Sequence, residues 1–215
     1  MKKGFLIALL VGSMASTCQA SALDEDHQFD ALYYERGTQE QDTSSIEPLM
    51  ASSLEENPIS ETTVSSGLAE YVATESGMGI EYGIDIANLI LHYSAEYGVD
   101  PVLAASLFNQ ESHFRMDAYS SAGAIGIAQL MPDTAASLGY NPYDIDDNVH
   151  GGIEYLGYQL QRFSYAGNLQ VSYAIAAYNA GPQAIMNYGD VPPWRETRNH
   201  VTAVAQYYQT ISSII

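Results

Sequence analysis

Glu111 is the ionisable residue whose neighbours suggest chemistry. It lies in Gln110-Glu111-Ser112-His113-Phe114, with Phe108 just before. A carboxyl group can donate a proton near neutral pH only when apolar surroundings raise its pKa above the usual carboxylate range. Phe108 and Phe114 could supply those surroundings. Taken alone, the same pattern also fits an ordinary solvated glutamate at a helix end. His113, beside it, invites a role as a base but is expected on the surface. Cys18 is the single cysteine, and no zinc-type Cys/His spacing, phosphate loop or calcium loop occurs. No cofactor and no metal is therefore expected.

Such a glutamate needs rigid elements to hold it. Asp100-Pro101 reads as a helix start, a capping side chain followed by a proline at the first helical position, and Val102, Leu103, Leu107 and Phe108 give that helix an apolar face running towards Glu111. Further starts are read at Pro132-Asp133, Asp147-Asn148, Asn168 and Glu196-Thr197, with Val149, Ile153, Leu156 and Leu160 at helical spacing after the second of these. Between Ser120 and Gln129 small residues break the helical pattern and predict a tight loop or short hairpin beside the end of the Glu111 helix, where backbone can approach a ligand. Ile84, Ile86, Ile90 and Leu91 place the start of the folded domain near residue 80, and the domain is expected to be mainly α-helical.

The chain has 215 residues, is 47% hydrophobic and carries a formal charge of −19. Those figures suit one globular domain with additional sequence and argue against a nucleic-acid partner. Acidity of this degree reads as a solubility device, with a salty habitat as one further reading. Met1-Lys2-Lys3, an apolar run from Gly4 to Met14 and small residues ending Ala20-Ser21-Ala22 have the layout of a secretory signal peptide over residues 1–22. Cleavage after Ala22 would remove Cys18 and both lysines; lipidation at Cys18 is the competing reading. Residues 23–79 are rich in Ser, Thr, Asp and Glu without sustained apolar periodicity, so a disordered linker or tail is expected there. Tyr33-Tyr34 and Leu49-Met50 could form a small docking element within it.

Three separated blocks resemble the catalytic domain of the soluble lytic murein transglycosylases. The first is Gln110 to Phe114. The second is Ala118-Tyr119-Ser120-Ser121-Ala122-Gly123-Ala124-Ile125-Gly126-Ile127-Ala128-Gln129-Leu130-Met131-Pro132-Asp133-Thr134-Ala135. The third is Ala176-Ala177-Tyr178-Asn179-Ala180-Gly181-Pro182, followed by Pro192 and Glu196-Thr197. Together they cover roughly residues 84–212, and three ordered blocks are far more specific than one short match. The resemblance implies a goose-type lysozyme-like helical domain, here over residues 80–215, with a small loop or hairpin beside the catalytic helix. It also implies a groove for alternating N-acetylglucosamine and N-acetylmuramic acid. Glu111 matches the family's catalytic glutamate, which acts first as acid on the glycosidic oxygen. It then acts as base on the muramic acid C6 hydroxyl, which closes a 1,6-anhydro ring without consuming water. Most glycosidases need a second carboxylate, and none of Asp117, Asp133, Asp144, Asp146 or Asp147 falls in a motif that places one opposite Glu111. In the family the substrate's own N-acetyl group is held to assist instead, supported by neighbouring dipoles.

By position, Ser120, Gln129, Met131, Tyr178, Asn179 and Glu196 match the family's groove residues and are assigned to substrate binding. Ser120 could instead cap a turn, Met131 could fill core, and Glu196 could orient Tyr178 or assist helix capping through Thr197. Ile127-Ala128 departs from the family's usual Leu-Met before the glutamine, which predicts a roomier groove wall. Glycan strands of peptidoglycan are the implied partner of a monomeric, exported enzyme, with cell-envelope machinery reached through residues 23–79 as a further candidate. A lysozyme-like hydrolase using water and a non-catalytic peptidoglycan-binding protein are the alternatives.

Overall fold

The computed structural model describes residues 59–215. Its elements are α1 (Ile59–Ser76), α2 (Ile80–Tyr97), α3 (Pro101–Ser112), α4 (Pro132–Leu138), α5 (Ile145–Arg162), a 3-10 turn (Ser164–Leu169), α6 (Gln170–Ala180), α7 (Pro182–Tyr188) and α8 (Arg195–Ser212). The mainly α expectation holds. Among the described residues, β pairing outside the helices is confined to two isolated antiparallel bridges, Tyr119 with Ile125 and Ile125 with Leu130. These form the small hairpin-like segment expected after the Glu111 helix. The leader expected at 1–22 and the docking residues Tyr33-Tyr34 and Leu49-Met50 lie outside the described residues. Among those described, no helix is long and apolar enough to cross a membrane.

The expected linker does not extend to Gly79. Residues 59–76 form α1, and Leu68, Ala69 and Val72 are buried in the same core as the later helices. The apolar face of α1 is short, which is why its Ser- and Thr-rich sequence reads as linker. Close contact compensates for small side chains: a Cβ on Gly83 of α2 would sit 2.2 Å from the Ala69 carbonyl oxygen. Glycine therefore lets the two backbones approach, and the folded domain begins about a helix earlier than residue 80. On α2 the buried face is Ile86, Ala87, Ile90 and Tyr93, while Ile84 is exposed.

Helix α3 runs through the middle of the core. Asp100 caps it by accepting from the Val102 N–H at 2.8 Å, with Pro101 at the first helical position. Leu103, Ala104, Ala105, Leu107 and Phe108 are all buried, as befits a helix enclosed on most sides. The helix ends at His113 and Phe114, consecutive residues with φ of 53° and 60°. Non-glycine residues seldom adopt such angles. Here the turn drives the Phe114 side chain into the core, where Tyr71 meets it edge-on and the Tyr82 hydroxyl donates to its carbonyl at 2.6 Å.

Two helix starts lie slightly off the sequence expectation. Asp144 caps α5 by accepting from the Asp146 and Asp147 N–H groups, so Asp147 and Asn148 sit inside the helix. Likewise α6 begins at Gln170 because the 3-10 turn occupies Asn168.

Candidate active site

Glu111 is the penultimate residue of α3, so the helix that fills the core also fixes its carboxyl group. Ser112, buried behind it, donates to the Ile127 carbonyl at 2.7 Å and accepts from the Arg115 N–H at 3.1 Å. That hydroxyl ties α3 to the 119–130 segment. Asn148 ties the same segment to α5: its Oδ1 accepts from the Ala128 N–H at 2.9 Å, and its Nδ2 donates to the Ile125 and Pro142 carbonyls at 2.9 and 2.8 Å. At Gly126, φ is 77° and an added Cβ would lie 2.6 Å from Asn148 Nδ2, so only glycine fits.

A groove of about 920 Å³ opens over this arrangement. Glu111 lies in it with Gln110, Ser120, Ser121, Gln129, Met131, Tyr178 and Asn179, and α8 contributes Arg195, Glu196, Asn199, His200 and Ala203. All seven residues expected at the site, Glu111, Ser120, Gln129, Met131, Tyr178, Asn179 and Glu196, are thus brought together. Ser120 also performs the turn-capping role, its Oγ accepting from the Ala124 N–H at 2.9 Å. Gln129, held at φ 48°, donates from Nε2 to the Ala118 and Gly126 carbonyls. Met131 is 41% exposed, which rules out the core-filling alternative. Tyr178 donates its hydroxyl to the Ala128 carbonyl at 2.8 Å and packs edge-on against Tyr155, and burial holds its phenol well above the usual value. Asn179 accepts from the Thr197 hydroxyl at 3.1 Å. Thr197 therefore links α8 to α6 instead of capping α8, whose first turn has no side-chain cap.

The expected roomier wall at Ile127-Ala128 is not found. Both residues are fully buried and neither lines the groove. An added Cβ on Gly152 of α5 would fall 2.4 Å from the Ala128 Cβ. The small residue at 128 therefore serves the packing of this segment on α5.

The electrostatics of the site centre on Glu111. Burial raises its pKa from 4.5 to about 8, so it is a protonated acid at neutral pH. The one imidazole in the groove, His200, has Nε2 3.5 Å from Glu111 Oε1, and burial lowers its pKa from 6.5 to about 4. Both groups are therefore neutral near pH 7, because a buried ion pair would forfeit more hydration than it regains. His113 faces elsewhere; it is exposed, 3.2 Å from Glu75. The other acids considered from the sequence do not line the groove: Asp117 pairs with Arg115 at 2.8 Å, Asp133 lies in the first turn of α4, Asp144 caps α5, Asp146 accepts from Tyr93, and Asp147 accepts from the Asn141 N–H. Glu196 is the remaining carboxylate in the groove among the described residues. No group of three or more His, Cys, Asp or Glu among these residues could hold a metal ion. His200 was missed from sequence. Its signal is the run 196, 199, 200, 203, which places one face of α8 on the groove.

Comparison with known proteins agrees with this geometry. The family model "Transglycosylase SLT domain" matches residues 88–201, more than half of the chain. A transglycosylase of Enterobacteria phage PRD1 is 40% identical over 89 residues, covering 41% of this chain and 32% of that protein. Membrane-bound lytic murein transglycosylase F 1 of Alkalilimnicola ehrlichii is 34% identical over 129 residues, covering 54% of this chain and 26% of that one. The chain thus spans about a third or less of the length of these relatives. Among solved structures, an inactive mutant of lytic transglycosylase Slt from Pseudomonas aeruginosa superposes with a TM-score of 0.51 at 26% identity, over 59% of this chain and 24% of that one. The 70 kDa soluble lytic transglycosylase of Escherichia coli gives 0.55 at 23% identity, over 72% and 31%, a likeness of fold. With its helices arranged in this lysozyme-like way around a groove that holds Glu111, the chain belongs to the transglycosylase SLT domain family.

Proposed function

We propose that the domain cleaves the β-1,4 bond between N-acetylmuramic acid and N-acetylglucosamine in peptidoglycan and leaves a 1,6-anhydro end. The observation that carries this reading is Glu111, largely buried beside the groove with a carboxyl group that stays protonated to about pH 8. It gives its proton to the glycosidic oxygen, the bond to C1 breaks, and the glucosamine leaves with a free hydroxyl. The substrate's N-acetyl group assists at C1. The Glu111 carboxylate then takes the proton of the C6 hydroxyl as O6 closes on C1, and the acid is restored for another turnover. Ser120, Gln129, Met131, Tyr178, Asn179 and Glu196 line the path of the sugars and hold them.

A hydrolytic outcome would need a second carboxylate to activate water. Among the described residues Glu196, exposed on α8, is the one other carboxylate that lines the groove. Export by the 1–22 leader to the periplasm or beyond, action as a monomer, and contact with envelope machinery through the acidic segment before α1 complete the reading. Peptidoglycan digested with the wild-type chain and with Glu111→Gln, followed by mass separation of the fragments, tests it. An anhydro end is lighter by one water than a reducing end. Anhydro fragments from wild type alone are expected, whereas reducing ends would make the protein a lysozyme.

A further inference from the structure

His200 is buried, its Nε2 makes no hydrogen bond, and that atom lies 3.5 Å from Glu111 Oε1. A buried nitrogen left without a partner costs free energy unless function uses it. Catalytic hydrogen bonds are often long in the unliganded protein and tighten around substrate.

We infer that His200 is a positioning residue for Glu111, donating from Nε2–H to Oε1 so that the reacting proton is carried on Oε2, towards the sugar. The inference rests on the acid–base role proposed above for Glu111 and adds a division of labour between its two oxygens. In the resting enzyme Oε1 is the carbonyl oxygen of a neutral carboxyl group and accepts from His200. When Oε2 gives its proton to the leaving oxygen, Glu111 becomes a carboxylate in a buried setting, and the same N–H then bonds to a charged acceptor and strengthens. The proton later taken from the C6 hydroxyl returns to Oε2, and His200 keeps its own proton throughout. A neutral imidazole suits this task, since a cationic one would hold Glu111 ionised and unable to act as acid. The other ionisable groups lining this groove are Tyr178 from α6, whose hydroxyl is committed to Ala128, and the exposed Arg195 and Glu196 on α8 itself. The 119–130 segment contributes only uncharged residues to the lining.

Nitrogen NMR of histidine-labelled full-length chain reads the tautomer, with His200→Gln assigning the signal, and carbon NMR follows the Glu111 carboxyl through a pH titration. The expected results are a proton on Nε2, and in His200→Phe a Glu111 titration moved upward by about one pH unit, since a donor to the carboxylate has been lost. Release of anhydro ends should fall roughly tenfold in kcat with KM little changed. His200→Gln, which keeps an N–H near the same place, should recover part of both. A bare Nε2 with the proton on Nδ1, or a Glu111 titration unmoved in folded His200→Phe, overturns the inference. Neither spectroscopic reading requires turnover. A wild-type chain that makes no anhydro ends would therefore overturn the reaction proposed above and leave the assignment of His200 to be decided by the spectra.

Discussion

The molecule buries two glutamates in opposite ways. Glu154 of α5 is 3% exposed and accepts from the hydroxyls of Tyr140, at 2.6 Å, and Tyr158. Around it Tyr97 bonds to His150 Nε2 at 2.8 Å, and His150 stacks on Tyr93. That region is a satisfied polar network, and its worth is structural. Glu111 sits at the end of a core helix with no hydrogen bond to its carboxyl group among the described residues, facing a groove and an imidazole whose Nε2 is also unpartnered. Burial with donors makes a carboxylate part of the scaffold, whereas burial without them makes it a neutral acid with a proton to give.

The largest expected effect separates the two sites. Glu111→Gln should lower turnover by at least a hundredfold, the usual scale for losing a general acid, yet leave the fold intact. Its stability should even rise with pH relative to wild type. The folded chain holds the Glu111 proton up to about pH 8 while the unfolded chain loses it near 4.5, so wild-type stability falls as pH climbs through that window. Thermal melts at pH 5 and pH 8 check this: the variant should gain Tm over wild type at pH 8 and lose the advantage at pH 5. Glu154→Ala should do the reverse, costing about 2–4 kcal/mol in denaturant unfolding because two half-buried tyrosine hydroxyls lose their acceptor, with turnover near wild type at low temperature. Equal loss of activity in both variants would break the comparison.

Asn148→Ala tests the joint between the regions. It removes two hydrogen bonds that hold the 119–130 segment on α5 and a third to the Pro142 carbonyl, and about 2–3 kcal/mol of stability should go with them, together with a rise in KM as Ser120 and Gln129 lose their support. A smaller effect is expected at low pH. His200 is kept neutral in the folded chain down to about pH 4, against 6.5 in the unfolded chain, so the unfolded state gains protons first and stability declines as pH falls from 6.5 to 4. In His200→Gln that part of the acid sensitivity should vanish from melts taken across the same range. Smallest of all, His113→Ala at its exposed position should change stability by no more than about 0.5 kcal/mol and turnover hardly at all.

Much of the catalytic side of this comparison is legible in the sequence, because the rules involved are local. Asp100-Pro101 announces α3, the apolar face runs to Glu111, and the small residues after Ser120 mark the tight segment that the Asn148 side chain then fixes. What escapes is set by contacts between distant elements. Helix α1 looks like linker because, among its described residues, the buried apolar stripe is short, Leu68, Ala69 and Val72, made sufficient by Gly83 on the next helix. Ala128 reads as a groove residue because nothing local reveals that Gly152 lies against it. His200 is silent in the sequence until α8 is laid across the end of α3, when residues one turn beyond Glu196 turn towards Glu111.

The dependence of anhydro-end release on pH, followed as kcat/KM from pH 4 to pH 10 on purified peptidoglycan, bears most directly on the claim that burial keeps Glu111 protonated as the acid. The rate should hold through neutrality and fall about tenfold per pH unit beyond roughly pH 8, where the buried carboxyl group ionises. A rate that already declined above pH 5, the behaviour of an ordinary solvated glutamate, would contradict it.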